Sequence, residues 1–423
     1  MTEIQLAYGR ELVNFAYDES RYQLLSPADH NAKPLTDVEI GQALDSPIES
    51  AGLENILRPD ESVLIVVSDS TRATASAQII NLLVRRIIQT GIAPQDISII
   101  FATGIHRSVT PKEKQELLTP FIAQRINTID HDAYDAKSLL LQGTTVRGTP
   151  VELNRALKEF SHVVITGALG FHYFAGFTGG RKSICPGLAS AQTIEATHML
   201  ALDFEKGGRR GGVGTALLEG NAVHEECEQI AELINPSFGI NSVVDERGRA
   251  IRLYTGHWRH AHRVACQEYL AAHSCSITGK RDVIIASCGG WPYDINVIQA
   301  HKTLDMAAQA GKEGGTIILL AKCSDGFGRP DFLKWFEAED SRALETRLRE
   351  AYEVNGQTAW SLLTKAEHYR VLLVSDLPDD DVRRMRMTPV PSLEKALAQL
   401  SPELEGYILP RGAALLPLAP DRL

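Results

Sequence analysis

Apolar residues in this chain fall into short β-branched runs, each followed by a segment in which they recur at helical spacing. "SVLIVVSDS" (62–70) and "ISIIFATG" (97–104) are almost continuously apolar, as strands buried on both faces are. Between them "SAQIINLLVRRIIQTG" (76–91) repeats its apolar positions every three or four residues and stops at Gly91, which predicts a helix closed by glycine. "TPKEKQELL" (110–118) opens with Thr110, Pro111 and Glu113, a capping box that predicts a helix start and leaves "GIHRSV" as a loop. "HVVITGAL" (162–169), "RDVIIASCGG" (281–290), "GTIILLAKCSD" (315–325) and "YRVLLVSDLP" (369–378) read as further buried strands, with a helix through 296–312. After Pro186-Gly187 another helix is expected to start near Ala189 and to carry His198 about two and a half turns along.

This alternation predicts an α/β fold of two domains, each a mainly parallel sheet covered by helices. A chain of 423 residues exceeds one ordinary core, and the polar, aperiodic "AAHSCSITGK" (271–280) marks the boundary. The expected domains are therefore 1–272 and 273–407, with the tail 408–423 packing back on the first. In open α/β sheets ligands bind beyond the carboxyl ends of the strands. Four unusual polar segments fall at such ends: "SDSTR" (68–72), "ATGIHR" (102–107), "GALGFHYFAGFTGGRK" (167–182) and "SCGGWPYDIN" (287–296). A site at the strand C-terminal ends, between the domains, is the expectation.

Composition narrows the classes. With 43 basic against 53 acidic residues the net charge is −10, which argues against a nucleic-acid binder that works by neutralising phosphates. No apolar run approaches the roughly 18 residues of a membrane span, and "MTEIQLAYGRELVNF" lacks the pattern of a signal peptide. The six cysteines are scattered without a C-x-x-C pair, as in proteins of a reducing cytosol. A cytoplasmic protein without nucleic-acid or membrane partners is expected.

The densest chemistry lies in "GFTGGRKSICPG" (176–187), close to a phosphate-cradling P-loop. That loop needs glycine immediately before its lysine, and here Arg181 separates Gly180 from Lys182. Other candidates have bland readings of their own. Asp69 and Arg72 could simply pair at a strand end, His106 could be an ordinary loop residue, and His198 could be a satisfied core histidine. In "GHWRHAHR" (256–263), His257 and His260 share a helical face while His262 points away, which reads as a solvated basic face, not a metal site.

Taken in order, "SDSTR", "ATGIHR", "HYFAGFTGGRKSICPGLAS", a histidine sixteen residues after the lysine, "GGWPYDINVIQAHKTLDMA" and "CSDGFG" resemble the nickel-dependent lactate racemase family over roughly residues 60–330. The resemblance implies a nickel pincer nucleotide, a pyridinium-3,5-bisthiocarboxylic acid mononucleotide carrying Ni(II), joined covalently to Lys182. It implies His198 as the protein's nickel ligand, in keeping with the affinity of imidazole for nickel. His106 and His172 become the acid–base pair, one for each enantiomer. Arg72 and Lys302 become the cations for a substrate carboxylate, with Gln299 on the helix face of Lys302 and Trp360 as a wall. Asp69 would orient a neighbour or bind the ribose, and Gly179 and Gly180 would admit the cofactor. The implied activity is a racemase or C2-epimerase of a 2-hydroxy acid through hydride removal and return, with cofactor-building enzymes as partners and homo-oligomerisation left open. Ile298 stands where the family often has an aromatic residue, and "SDSTRATAS" lacks the proline that commonly follows the arginine, so the substrate itself stays open. Two alternatives remain at this point: a nucleotide-dependent transferase using the lysine loop for phosphate, and a non-catalytic carboxylate-binding relative.

Overall fold

The structure is a computed structural model that describes residues 1–26 and 32–419. Two compact units emerge from the pattern of contacts. One comprises residues 32–202 with 209–269; the other comprises 1–26, 203–208 and 270–419.

In the first unit the apolar runs form a six-stranded sheet in the order Ala250–Gly256, Phe238–Val244, His162–Ala168, Val63–Ser68, Ile97–Ala102, Asn127–Asp130. All neighbours are parallel except the first pair. Val63 lies opposite both Ile97 and His162, so the three central strands end level with one another and deliver their following loops to one edge. The helix Ser76–Gln89 covers one face, packing Ile80, Leu83 and Ile87 on Ile65, Val67 and Phe101. Thr110 and Glu113 form the expected capping box at the start of the helical segment Pro111–Arg125, which is broken at Thr119 ahead of Pro120. The helix Ala191–Met199 starts two residues later than expected. Ser190, not a residue before Ala189, supplies the cap by accepting from the Thr193 amide, and His198 falls in the last turn.

The second unit holds a six-stranded sheet that is parallel throughout, ordered Thr388–Pro389, Arg370–Val374, Gly311–Leu320, Arg281–Ser287, Gly406–Leu409, Tyr22–Leu24. Two expected assignments change here. The N-terminal hairpin of Thr2–Tyr8 and Glu11–Tyr17 belongs to this unit, where Leu6 and Phe15 share a core with Ile285, Ile318 and Ile408. The described residues of the tail, expected with the first unit, also belong here: Gly406–Leu409 is a fully buried strand of this sheet, and Leu416–Leu418 pairs with Ser274–Ser276. A strand only four residues long, with no helix after it, carries too little periodicity to announce itself. Among the described residues no helix is long and apolar enough to cross a membrane.

Candidate active site

In the first unit the strand Val63–Ser68 hands directly to Asp69, whose buried carboxylate accepts from the Thr71 amide at 3.1 Å and the Thr71 hydroxyl at 2.6 Å. Its other oxygen lies 2.7 Å from Nδ1 of His106, which stands in the loop after the neighbouring strand Ile97–Ala102. Burial would raise the Asp69 carboxyl, but the bonds from His106 and Thr71, with the charges of His106 and Arg72, outweigh it and hold the group below its ordinary value. The side-chain bonds of Asp69 therefore go to a histidine and a threonine instead of to Arg72, whose own side chain is exposed. With a carboxylate on Nδ1, a neutral His106 ring carries its proton there and has Nε2 as its acceptor.

The glycine-rich turn is built for the protein's own packing. Gly179 (φ 76°) and Gly180 (φ 51°) take left-handed backbone. A Cβ on Gly179 would meet Asn241 Oδ1 at 2.8 Å, and one on Gly180 would meet the His262 ring at 2.7 Å. The Gly180 amide donates to that same Asn241 oxygen at 2.8 Å. Both glycines thus have a sufficient reason to be glycine without any ligand. Arg181 is fully buried and donates to the carbonyls of Phe177 (3.0 Å) and Ala175 (2.7 Å) and to His262 Nε2 (3.0 Å). That His262 nitrogen also lies 2.9 Å from the Thr178 carbonyl; a neutral ring serves only one of these two contacts, accepting from the arginine or donating to the carbonyl. Burial and the Arg181 charge lower His262 to about 3, in keeping with that state. His262 points away from His257 and His260, as its helical position indicated, and is a buried brace for the lysine loop, so the solvated face expected of this stretch does not include it; His260 is exposed and faces Glu49.

Lys182 follows this brace on a short 3-10 turn, Gly180–Ser183. Its amine lies 3.4 Å from His172 Nε2, while His172 Nδ1 accepts the Ala175 amide at 3.2 Å. Burial, opposed by Cys227 and assisted by the Arg181 and Arg72 charges, brings the amine down to about 8. Phe174 organises the rest. Its ring meets His172 edge-on at 4.5 Å and His198 edge-on at 5.1 Å, and the Lys182 amine lies 5.7 Å from its centroid. His198 is buried, and burial with the Lys182 charge lowers it to about 3, so its imidazole is neutral at any physiological pH. The buried thiols of Cys185 and Cys227 bond to each other close by, a pairing that linear spacing did not reveal. Sequence reasoning also missed Phe174, Asn221 and Asn241. The aromatic run "HYFAGF" was a local signal for the first; the two asparagines come from distant segments and had none.

In the second unit Gln299 and Lys302 are joined, the Lys302 amine donating to Gln299 Oε1 at 2.6 Å. Both sit in the first turns of the helix Val297–Ala310, which Asn296 caps by accepting from the Gln299 amide at 3.0 Å. Trp360 is buried on a different helix, Val354–His368. A buried ion pair ties the two helices together, Lys365 to Asp305 at 2.8 Å.

The residues present fit a tethered nickel cofactor. Among the described residues no group of three or more His, Cys, Asp or Glu could hold a metal ion, so a metal at His198 would draw its other donors from the cofactor. A buried neutral imidazole suits nickel, and an amine that loses its proton near neutrality suits covalent attachment.

Two family models match the chain: the lactate racemase N-terminal domain over residues 8–208 and the lactate racemase C-terminal domain over residues 277–406. A protein named lactate racemase from Thermoanaerobacterium thermosaccharolyticum is 30% identical over 406 residues, 94% of either chain. Another of that name from Lactiplantibacillus plantarum is 30% identical over 433 residues, covering 100% of this chain and 99% of the relative. The solved lactate racemase apoprotein from Thermoanaerobacterium thermosaccharolyticum superimposes with a TM-score of 0.90 at 27% identity, over 99% of this chain and 100% of that one. A structural-genomics protein from Thermotoga maritima shares the fold at a TM-score of 0.67 and 20% identity, over 91% of this chain and 99% of that one. With both family domains matched in order and relatives aligned along nearly its whole length, the chain belongs to the lactate racemase family and is an isomerase of the racemase class.

Proposed function

We propose that the protein racemises or C2-epimerises a 2-hydroxy acid of the lactate type, with a nickel pincer nucleotide tethered at Lys182. The observation that carries this reading is the grouping of the Lys182 amine, His172 and His198 around Phe174. An amine for attachment, a neutral imidazole for the metal and an acid–base histidine are thereby held on one rigid scaffold. When bound, the cofactor supplies a hydride acceptor, which turns the 2-hydroxy acid into a planar 2-oxo acid that can be reduced from either face.

The chain's residues do the rest. Arg72 grips the substrate carboxylate through two parallel hydrogen bonds; Lys302 and Gln299 are the corresponding candidates in the second unit, and Trp360 is carried as a wall residue. His106 takes the hydroxyl proton at Nε2 while Asp69 holds the opposite nitrogen and stabilises the imidazolium that forms. His172 serves the other substrate orientation. Its ring starts from a different state, since Nδ1 accepts a backbone amide, so the two directions of reaction begin from inequivalent histidines. We place the enzyme in the cytoplasm, supplied by enzymes that build the cofactor.

Protein made together with cofactor-building enzymes is expected to show an intact-mass adduct on Lys182 and about one nickel per chain. Lys182→Ala is expected to lose adduct and turnover together. Unmodified protein that racemises at the full rate would overturn the assignment. A panel of single-enantiomer 2-hydroxy acids then fixes the substrate, starting with lactate, for which both relatives are named.

A further inference from the structure

The contacts of Lys182 say more than where a cofactor attaches. We propose that His172 holds the Lys182 amine as a hydrogen-bond acceptor, so that the cofactor-free protein is itself a selective acyl acceptor at this one lysine. This deepens the anchor reading of Lys182 and rests on it.

The argument is one of hydrogen-bond polarity. A backbone N–H only donates, and the Ala175 amide points at His172 Nδ1 from 3.2 Å; that nitrogen therefore carries a lone pair. A neutral imidazole has one N–H, which is then on Nε2, the atom 3.4 Å from Lys182 Nζ. An ammonium group there would set hydrogens against hydrogen. Moving the ring proton to Nδ1 would do the same at Ala175. The assignment that satisfies both contacts has Nε2–H donating to the lone pair of an uncharged amine. At 3.4 Å this bond is long and readily exchanged for an incoming electrophile.

The surroundings agree. The amine is half-buried and has the Arg181 and Arg72 charges nearby, which disfavour a second positive charge and outweigh the weak attraction of the Phe174 ring for a cation at 5.7 Å. Its backbone is fixed by Asn241 on the Gly180 amide and by the Ser183 hydroxyl on the Thr166 carbonyl at 2.8 Å. Four other lysines differ: Lys312 is bonded to Asp282, Lys334 to Glu353, Lys114 to Asp130 and Lys322 to Glu11. A carboxylate partner keeps an amine protonated and poorly nucleophilic.

With an activated phenyl ester the step balances simply. The Lys182 nitrogen attacks the ester carbonyl, the N–C bond forms, the C–O bond to the phenolate breaks, and the proton shed by nitrogen leaves with the phenolate. The products are an amide and a phenol. His172 is a positioning residue in this step, since it presents the amine and takes no part in bond making.

The test uses the full chain without cofactor, p-nitrophenyl acetate as the acyl donor, and peptide mass to locate acetyl groups. Lys182 is expected to be acetylated at least about tenfold faster than Lys312 in the same molecules. His172→Gln, which retains an N–H donor near the Nε2 position, is expected to keep most of that advantage, and His172→Leu to lose it. Acetylation of Lys312 in each variant serves as the internal reference. Lys182 reacting no faster than Lys312, or His172→Leu reacting as fast as the parent, would overturn the proposal. The anchor reading fails separately: cofactor adduct on Lys182 in a protein that refuses the ester leaves the anchor intact and removes only the role given to His172.

Discussion

At the scale of single residues, the site separates its two histidines by what touches Nδ1. His106 meets a carboxylate there, at 2.7 Å, and His172 meets a backbone amide, at 3.2 Å. The same side chain is thus set up as a proton acceptor in one place and as an N–H donor in the other. Asp69→Asn tests the first arrangement. An asparagine can turn its NH₂ toward Nδ1, which moves the ring proton to Nε2 and blocks the base. The expected loss in kcat is on the order of 10²- to 10⁴-fold with KM changed little, by analogy with carboxylate–histidine pairs elsewhere. Steady-state rates in both directions check it, and a variant within about threefold of the parent would remove Asp69 from the mechanism. Gly179 and Gly180, which the resemblance assigns to admitting a cofactor, also leave room where a side chain would meet Asn241 and His262. A glycine-rich string shows that something approaches the backbone closely, not what approaches.

At the scale of elements, the hairpin of Phe171–His172 and Gly176–Phe177 carries His172, and the cap of the helix Ala222–Ile234 pins it. Asn221 caps the helix Ala222–Ile234 by accepting from the Val223 and His224 amides, and its NH₂ donates to the Phe174 carbonyl at 2.9 Å and the Leu217 carbonyl at 3.0 Å. Asn221→Ala removes the cap and strands two carbonyls, an expected cost of about 2–4 kcal/mol. Asn221→Asp keeps the cap but turns a fully buried carboxylate on those carbonyls, so it is expected to destabilise more than alanine does. Urea midpoints of the two variants decide the order; aspartate proving the milder change would show that capping, not the hold on the hairpin, dominates. This division marks how far the site was legible. Lys182, His172, His106 and Asp69 lie in short motifs at strand ends, and strand ends follow from the period of the apolar runs. Asn221 and Asn241 act on the lysine loop from roughly 40 to 60 residues further along the chain, a distance that no local pattern spans.

At the scale of the whole molecule, the sheets were legible because buried parallel strands are near-continuous apolar runs, and Val63–Ser68, Ile97–Ala102 and His162–Ala168 all are. The assignment of segments to units was not, because Tyr22–Leu24 and Gly406–Leu409 are too short to carry a period and find their places by pairing with each other. Burial also gives the molecule a property that neither motif nor strand pattern announces. His224, His262 and His301 are buried outside the proposed acid–base pair, and burial, the largest influence on each, lowers them to about 2, about 3 and about 4. In the unfolded chain the same residues titrate near 6.5. Above that value these rings are neutral in both states and cost the folded protein nothing. As pH falls below it the unfolded state takes up protons that the folded state refuses, so stability drops until the folded values are reached. Each histidine contributes up to about 1.4 kcal/mol per pH unit below its unfolded value. Carboxylates held low by their partners, Asp69 among them, add to the loss only at more acid pH, so the interval from about 6.5 to 5 isolates the histidines. Urea midpoints are therefore expected to fall steadily from about pH 6.5 to 5, and His224→Leu to reduce that slope by about one proton. His224 is the cleanest of the three to remove, since neither of its ring nitrogens makes a hydrogen bond and its contact with Glu228 is long, at 3.8 Å. A His224→Leu protein with the parent's pH slope would mean that this ring reaches a proton source in the folded state, and that the interior beneath the lysine loop is wetter than its packing indicates.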